Sequence, residues 1–123
     1  MAENPPERPV LVVEDDPDIR DATAILLEDE GYKVAQAENG QRALEAVENG
    51  QLPSLILLDL MMPVMDGHEF LERLASLGPE RAGIPVVVMT AAHNPTVPAA
   101  KQVIRKPYSV DALLDAVARY VQR

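Results

Sequence analysis

The chain lacks several features that mark common classes of protein. Among its 123 residues there is no cysteine and no tryptophan, and aromatic residues make up only 3%. Without cysteine the chain can form neither a disulfide nor a thiolate metal site, and it has no catalytic thiol. Its core must therefore be built from aliphatic side chains. That is feasible at this length, because a single domain of this size buries about two thirds of its unfolded surface.

Positive charge and long apolar runs are also scarce. The chain has 11 Lys and Arg residues against 20 Asp and Glu residues, and its net charge is -9. Because such a surface repels phosphate backbones, we expect no direct DNA binding. No apolar run approaches the ~18 residues of a membrane span, and the polar N-terminus lacks a signal-peptide core. We therefore expect a cytoplasmic protein without membrane insertion, with residues 1–8 as a flexible N-terminal extension.

The rest of the chain alternates short apolar runs with amphipathic stretches, which is typical of an α/β protein. Strands are predicted at residues 9–14, 32–38, 54–59, 85–90 and 102–105. Helices are predicted after Asp16, over residues 41–49, after Gly67 and after Ser109. The third and fourth strands are apolar without alternation, as expected of parallel strands covered on both faces. The pattern predicts a doubly wound, five-stranded parallel sheet.

Apolar spacing in the first and last helices predicts which of their faces are buried. For the first helix, which should end at Gly31, the predicted inward face comprises Ile19, Ala22, Leu26 and Asp29, broadened by Ile25 and Leu27. For the last helix, with Ser109 as its N-cap, the predicted face comprises Val110, Leu113, Val117 and Val121. Both faces should pack against the sheet.

Polar residues follow four of the five predicted strands, and the carboxyl ends of parallel strands meet at one edge of a sheet. These residues are Glu14, Asp15 and Asp16 after the first strand, Asp59 at the third, Thr90 at the fourth and Lys106 after the fifth. Clustered carboxylates repel each other unless a cation joins them, and oxygen ligands without His or Cys favour Mg²⁺ or Mn²⁺. With a lysine and a hydroxyl, the cluster predicts a phosphoryl-transfer site in which a carboxylate is the nucleophile.

Five stretches carry a family resemblance: VLVVEDDPDIR, AENGQRALEAV, LILLDLMMPVMDG, PVVVMTA and RKPY. Over nearly its whole length the chain resembles a response-regulator receiver domain of two-component signalling, so residues 9–123 are expected to form a receiver domain. The resemblance implies the flavodoxin-like strand order 2-1-3-4-5. It implies a sensor histidine kinase or histidine phosphotransfer protein as donor, and an unknown downstream protein as the partner that phosphorylation switches. It also implies a phosphoryl acceptor with self-dephosphorylation, and not an enzyme.

The resemblance assigns the acidic residues to a metal and phosphoacceptor site. Asp59 resembles the phosphoacceptor and also a metal ligand. Asp15 resembles a direct Mg²⁺ ligand, and Glu14 one that acts mainly through water. The backbone carbonyl of Met61 would complete the metal site, whereas Asp16 falls one place beyond the acidic pair and is left out.

The resemblance also assigns the residues that would contact the phosphoryl group. Thr90 resembles the hydroxyl switch residue, and Ala91 after it would keep the site accessible and offer an N–H group. Lys106 would contact the phosphoryl group, and the bond between Lys106 and Pro107 is expected to be cis, which is rarely available outside X-Pro bonds.

The chain departs from the family pattern where the signal would leave the site. Val103 stands where the family often has an aromatic residue, so this switch position is degenerate. Only fifteen residues separate Thr90 from Lys106, and they include Pro95 and Pro98. The helix that receivers place there, their fourth, is therefore expected to be short or absent. Signalling is expected to use the side of the first or the last helix instead.

A further departure concerns the lifetime of the phosphorylated state. Met61 and Ala92 lie where some receivers carry polar side chains that orient the attacking water. Because neither side chain can form a strong hydrogen bond, slow self-dephosphorylation is predicted.

Two alternatives remain open. One is a pseudo-receiver, a phosphorylation-independent interaction domain, in which the acidic, hydroxyl and lysine residues would be expected to drift. The other is a Mg²⁺-dependent phosphohydrolase with an aspartate nucleophile, which normally has Asp-x-Asp on its first strand. Here Asp59 is on the third strand and residue 61 is Met. His68 and His93 are expected to face solvent and to be neither phosphorylated nor bound to metal.

Overall fold

A computed structural model describes residues 8–62, 64–92 and 96–121. The predicted flexible extension (all but Arg8), the turn residue Pro63, His93 and Pro95 lie outside the described residues. The strands are β1 (Val10–Val13), β2 (Val34–Ala37), β3 (Leu55–Asp59), β4 (Val86–Thr90) and β5 (Gln102–Arg105). The helices are α1 (Pro17–Asp29), α2 (Gly40–Glu48), α3 (Gly67–Ala75), α4 (Pro79–Ala82) and α5 (Val110–Tyr120). In these ranges no helix is long and apolar enough to cross a bilayer.

The strands form one parallel sheet in the order β2-β1-β3-β4-β5. This confirms the predicted doubly wound fold and its strand order. Val13 pairs with Leu58, and Asp59 pairs with Met89. This register places the carboxyl ends of β1, β3 and β4 side by side along one edge of the sheet.

Both faces of the sheet are covered, and β3 and β4 are buried along their whole length. Leu58 and Val88 belong to a cluster with α2 and α3, whereas Leu57 and Val87 belong to a second cluster with α1 and α5. This confirms that the uninterrupted apolar runs are central strands with helices on both sides. Asp59 therefore stands at the end of a strand that packing holds rigidly.

The predicted inward face of α1 is correct at Leu27 and wrong at its other positions. The structure buries Thr23, Ala24 and Leu27, while Ile19 and Ile25 are 41% and 58% exposed. Ala22 and Asp29 are also exposed, and Leu26 is only half-buried. Burial of Thr23 is possible because its hydroxyl donates to the Ile19 carbonyl at 2.8 Å, which satisfies the polar group inside the helix.

The predicted face of α5 is correct at its centre and wrong at its start. Leu113 and Val117 are buried, as predicted, and Ala116 is buried with them. Val110 is 47% exposed because it is the first residue of the helix, next to the N-cap Ser109. Val121 lies just past the helix end and is half-buried.

The connection from β4 to β5 is short. Residues 91–92 and 96–101, the described part of this connection, contain no helix, which confirms the prediction of a short or absent helix here. Val97 is buried in the cluster that includes α2 and α3, and Ala100 packs against the same cluster, so side chains of this connection cover part of the sheet face. The four-residue helix α4, which the sequence did not predict, precedes β4 instead.

The connection from β3 to α3 is tightly folded. The Gly67 N–H donates to the Leu60 carbonyl at 2.9 Å. A Cβ atom at position 67 would lie 2.9 Å from the Leu60 Cα, so a side chain at this position has no room. Val64, within the connection, has φ of 70° and is 74% exposed. This is the left-handed region that β-branched residues avoid.

Candidate functional site

Three carboxylates meet at the edge of the sheet where β1 and β3 end. Glu14, Asp15 and Asp59 each place an oxygen within 4.8 Å of the other two. Glu14 and Asp59 are buried, whereas Asp15 is exposed. Negative charges at such short distances from one another are costly without a counterion. The donor set consists only of hard oxygens, so the residues fit a divalent cation of the Mg²⁺ or Mn²⁺ type.

Lys106 supplies a positive charge to the same cluster. Its Nζ atom lies 3.4 Å from Glu14 Oε1 and 3.4 Å from Asp59 Oδ2. Burial on its own would lower the pKa of Lys106, but the negative charges of Asp59 and Glu14 outweigh burial and raise it. The side chain is therefore a permanent cation at neutral pH, placed beside the predicted phosphoacceptor.

The pKa of Glu14 indicates that Lys106 does not fully offset the negative charge of the carboxylates. Burial, followed by the hydrogen bond and the negative charge of Asp59, raises the pKa of Glu14 to about 7. The Asp16 N–H, which donates to Glu14 Oε2 at 3.3 Å, and the charge of Lys106 oppose that rise. A second cation would remove the repulsion that favours the protonated form.

Backbone groups after β3 complete the environment of Asp59. The Met61 N–H donates to Asp59 Oδ1 at 3.2 Å, so the Met61 backbone lies beside the carboxylate. The Met61 side chain is 66% exposed and does not cover the site. The Oδ1 atom is thus held by the backbone, while Oδ2 faces Lys106.

Thr90 ends β4, the strand that pairs with the strand ending at Asp59. Thr90 is fully buried at the end of β4, and its hydroxyl accepts a hydrogen bond from the Ala92 N–H at 3.0 Å. Ala91, between them, is exposed. The Lys106 N–H donates to the Thr90 carbonyl at 2.8 Å, which ties the ends of β4 and β5 together. The Lys106–Pro107 peptide bond is cis.

The side chains of three other residues, Val103, Asp16 and His68, are not part of the carboxylate cluster. Val103 is half-buried on β5 and packs against the cluster that includes α2 and α3. Asp16 caps α1, because its side chain accepts from the N–H groups of Asp18 and Ile19. His68 is exposed on α3, as expected.

Two residues that the sequence reasoning missed reach the site from the side. Arg20, the only basic residue of α1, donates from Nη1 to the Glu14 carbonyl at 2.8 Å. The Tyr108 hydroxyl donates to the Met89 sulfur at 3.4 Å and lies beside the Thr23 hydroxyl. Their proximity in sequence to Asp15 and Lys106 was the available signal, but periodicity does not say where a long side chain reaches.

Comparisons with known proteins agree with this geometry. The model of the response regulator receiver domain matches residues 10–118. The chain is 34% identical over 118 residues to the sporulation initiation phosphotransferase F of Bacillus subtilis, covering 91% of this chain and 92% of that protein. It is 37% identical over 121 residues to the CAI-1 autoinducer sensor kinase/phosphatase CqsS of Vibrio cholerae, covering 94% of this chain.

Solved structures give the same result. The response regulator protein TrrA of Thermotoga maritima, in complex with Mg²⁺-BeF, superposes with a TM-score of 0.81 at 28% identity, covering 93% of this chain and 99% of TrrA. The chain spans only 18% of the length of the Vibrio cholerae sensor kinase, and between 25% and 61% of several other curated relatives.

Proposed function

Because this chain belongs to the response regulator receiver domain family, we propose that Asp59 is its phosphoacceptor and that residues 9–123 form the receiver domain. One observation carries the assignment: Asp59 stands at the end of β3 with Lys106 Nζ 3.4 Å from its Oδ2 atom and two further carboxylates within 4.8 Å. Burial at the end of a central strand fixes the position of the nucleophile.

The proposed metal site consists of Glu14, Asp15 and Asp59, with the Met61 carbonyl as a fourth donor. Mg²⁺ or Mn²⁺ bound there would neutralise the charge of the incoming phosphoryl oxygens. The fit rests on three oxygen donors within 4.8 Å and on the raised pKa of Glu14, both of which indicate a missing positive charge.

The proposed reaction transfers a phosphoryl group from a phosphohistidine of the donor. A carboxylate oxygen of Asp59 attacks phosphorus, so a P–O bond forms while the P–N bond of the donor breaks. The electron pair of that bond stays on the imidazole nitrogen. Lys106 is placed to pair with a phosphoryl oxygen. We propose that the Thr90 hydroxyl and the Ala91 N–H, at the end of the neighbouring strand β4, also contact the group.

The proposed donor is a sensor histidine kinase or a histidine phosphotransfer protein, and the proposed location is the cytoplasm. The support is family membership and the names of two relatives, a sensor kinase/phosphatase and a sporulation phosphotransferase. A downstream protein would then bind or release the phosphorylated domain. We propose no enzymatic turnover beyond loss of the phosphoryl group from Asp59 itself.

The alternatives are not favoured. A pseudo-receiver would have no need for the full set of Asp59, Lys106 and Thr90 at one edge of the sheet. A phosphohydrolase would need a general acid two residues after its nucleophile, and here that residue is Met61, whose side chain is exposed and cannot donate a proton.

We propose that the signal leaves on the side of α1 and α5. Val103 packs on the opposite face of the sheet, and the described part of the β4–β5 connection has no helix. Tyr108, two residues after Lys106, instead contacts Met89 on β4 and Thr23 on α1. A change at Thr90 or Lys106 would therefore reach α1 through neighbouring side chains.

The test is incubation with acetyl phosphate and Mg²⁺, followed by intact mass measurement. Wild type should gain the mass of one phosphoryl group, and Asp59→Asn should gain none. Asp115→Asn, which removes the same charge from an exposed position of α5, should behave as wild type. Absence of any Mg²⁺-dependent gain in wild type would exclude an active receiver.

A further inference from the structure

Arg20 closes a loop around the predicted metal ligand Asp15. Its backbone N–H donates to the Asp16 carbonyl at 2.9 Å, which is the ordinary first-turn bond of α1. Its side chain reaches further back, and Nη1 donates to the Glu14 carbonyl at 2.8 Å. Asp15 thus lies between two backbone carbonyls, one before and one after it, that are both bonded to Arg20.

The Glu14 carbonyl needs this partner because it lies beyond the sheet ladder. The Glu14 N–H still bonds to β2, at the Ala37 carbonyl, but the last paired residue of β1 is Val13. Glu14 itself is 2% exposed. A carbonyl at such a position is costly without a donor, and the guanidinium supplies one where a neighbouring strand would otherwise do so.

The guanidinium is itself held in one orientation. Its Nε atom donates to Gln36 Oε1 at 3.1 Å, and Gln36 is paired with Val12 across the β1–β2 ladder. Arg20 therefore connects the first turn of α1 to the end of β1 and to β2. Because a guanidinium is planar, the two hydrogen bonds together restrict its position more than one bond would.

We propose that Arg20 is a positioning residue for the metal site. It fixes the peptide group between Glu14 and Asp15, and with it the spacing of their carboxylates from Asp59. Without it, repulsion among three carboxylates within 4.8 Å would move the β1–α1 turn outward. The inference rests on the proposed function only for the identity of the metal site. It concerns cation binding and requires no phosphoryl transfer.

The first test is Mg²⁺ titration without a phosphoryl donor, followed by amide NMR shifts. Arg20→Gln should weaken Mg²⁺ binding by about tenfold, the lower end of the effect seen for residues that orient metal ligands. Arg42→Gln is the matched control, because it removes the same charge from a helical arginine whose ion pairs in the described part of the chain are with Glu38 and Glu45 at the surface. Its Mg²⁺ affinity should stay within about twofold of wild type, since exposed pairs contribute little.

The second test uses the protein in EDTA, so that no cation contributes. The Asp16 amide, which donates to Glu14 Oε2, should exchange faster with solvent in Arg20→Gln than in wild type or Arg42→Gln. Arg20→Lys keeps the charge but replaces two donor atoms in a rigid plane with one flexible ammonium. Its Mg²⁺ affinity should therefore fall between wild type and Arg20→Gln. If Arg20→Gln does not fold, the weaker binding of Arg20→Lys decides the question.

Equal Mg²⁺ affinity in wild type and in each folded Arg20 variant would overturn the proposal. An equal loss in Arg42→Gln would also overturn it, because it would reduce the effect to net charge. These outcomes are independent of phosphorylation. Wild type that accepts a phosphoryl group, with Arg20 variants of unchanged Mg²⁺ affinity, would refute the role of Arg20 and leave the proposed function intact. If wild type binds Mg²⁺ but accepts no phosphoryl group, and the Arg20 variants bind Mg²⁺ more weakly, the proposed function is refuted and the role of Arg20 is left intact.

Discussion

The ammonium of Lys106 lies 3.4 Å from the carboxylate of Asp59, although 47 residues separate them in the chain. The contact exists because β3 and β5 both end at the same edge, with β4 between them. Lys106 thus offsets part of the negative charge of the carboxylates when no metal is bound. This relationship determines how the domain should respond to loss of that charge.

Lys106→Met should destabilise the metal-free protein by about 1–2 kcal/mol, because it removes hydrogen bonds to two charged groups. Added Mg²⁺ should recover more stability in this variant than in wild type, since a cation would replace the missing charge. Urea denaturation with EDTA and with Mg²⁺ measures both effects. Lys101→Met, at an exposed position, should change stability by less than about 0.5 kcal/mol. Equal effects of the two substitutions would contradict the prediction.

The metal-free protein should become less stable as pH rises from about 4.5 to about 7, because the pKa of Glu14 is raised to about 7 in the folded state. The folded protein binds the proton on Glu14 more tightly than the unfolded chain does. The stabilisation from this proton is therefore fully present below the unfolded pKa and is lost as pH rises through the folded pKa. Glu14→Gln should remove this part of the pH dependence. At pH 8 it should stabilise the protein by about 1 kcal/mol, since close like charges cost about that much or more.

Urea denaturation in EDTA at several pH values checks this prediction. Glu72→Gln, at an exposed position of α3, provides a comparison in which no such pH dependence should disappear. A wild-type curve whose slope between pH 5 and 7 survives unchanged in Glu14→Gln would assign the slope to other groups.

Val64→Asn should stabilise the protein by about 1 kcal/mol, because Asn tolerates the left-handed conformation that costs a β-branched residue about that much. Val64 is 74% exposed, so little packing is lost. Val110→Asn, at an exposed valine without positive φ, should not stabilise. Thermal or urea unfolding measures the change in stability. If Val64→Asn is no more stable than wild type, the left-handed conformation of Val64 does not destabilise the protein.

The phosphorylated state should be long-lived, because neither the exposed Met61 side chain nor Ala92 can orient a water molecule for attack on phosphorus. Met61→Asn should shorten the lifetime by about tenfold, a modest share of what a positioned hydrogen-bonding group contributes. Val64→Asn places the same side chain three residues further along the same connection and should have no such effect. The lifetime is read by intact mass after the donor is removed, and loss within seconds in wild type with Mg²⁺ would count against the prediction.

Tyr108→Phe should weaken the transmission of phosphorylation to α1. The ring still packs between α1 and β4, but the hydroxyl that contacts Met89 and Thr23 is gone. Phosphorylation at Asp59 should proceed, whereas the amide shift changes of Thr23 and Ala24 on phosphorylation should be smaller than in wild type. Tyr120→Phe, a half-buried tyrosine of α5, is the control. Unchanged shifts at α1 in Tyr108→Phe would place the signal route elsewhere.

The sequence predicted best what depends on apolar runs and on strand ends. The runs of β3 and β4 could only be central strands, and the residues that follow parallel strands must meet, so Asp59, Thr90 and Lys106 were placed together. It predicted least what depends on how a helix rotates about its own axis. Ile19 and Ile25 on α1 read as core residues, yet Thr23 is buried in their place because its hydroxyl bonds within the helix.

Long polar side chains were the other source of error. Nothing in the spacing of Arg20 or Tyr108 indicates that one reaches the Glu14 carbonyl and the other the Met89 sulfur. The short helix α4 was also missed, because four residues are too few to show helical periodicity.

The contact between Gly67 and Leu60 limits how this site can vary among related sequences. A Cβ atom at position 67 would lie 2.9 Å from a backbone atom of residue 60, so shortening the side chain of Leu60 would not make room. No pair of substitutions at the two positions can compensate for each other. A side chain at position 67 would therefore force the backbone of Leu60, the residue after Asp59, to move.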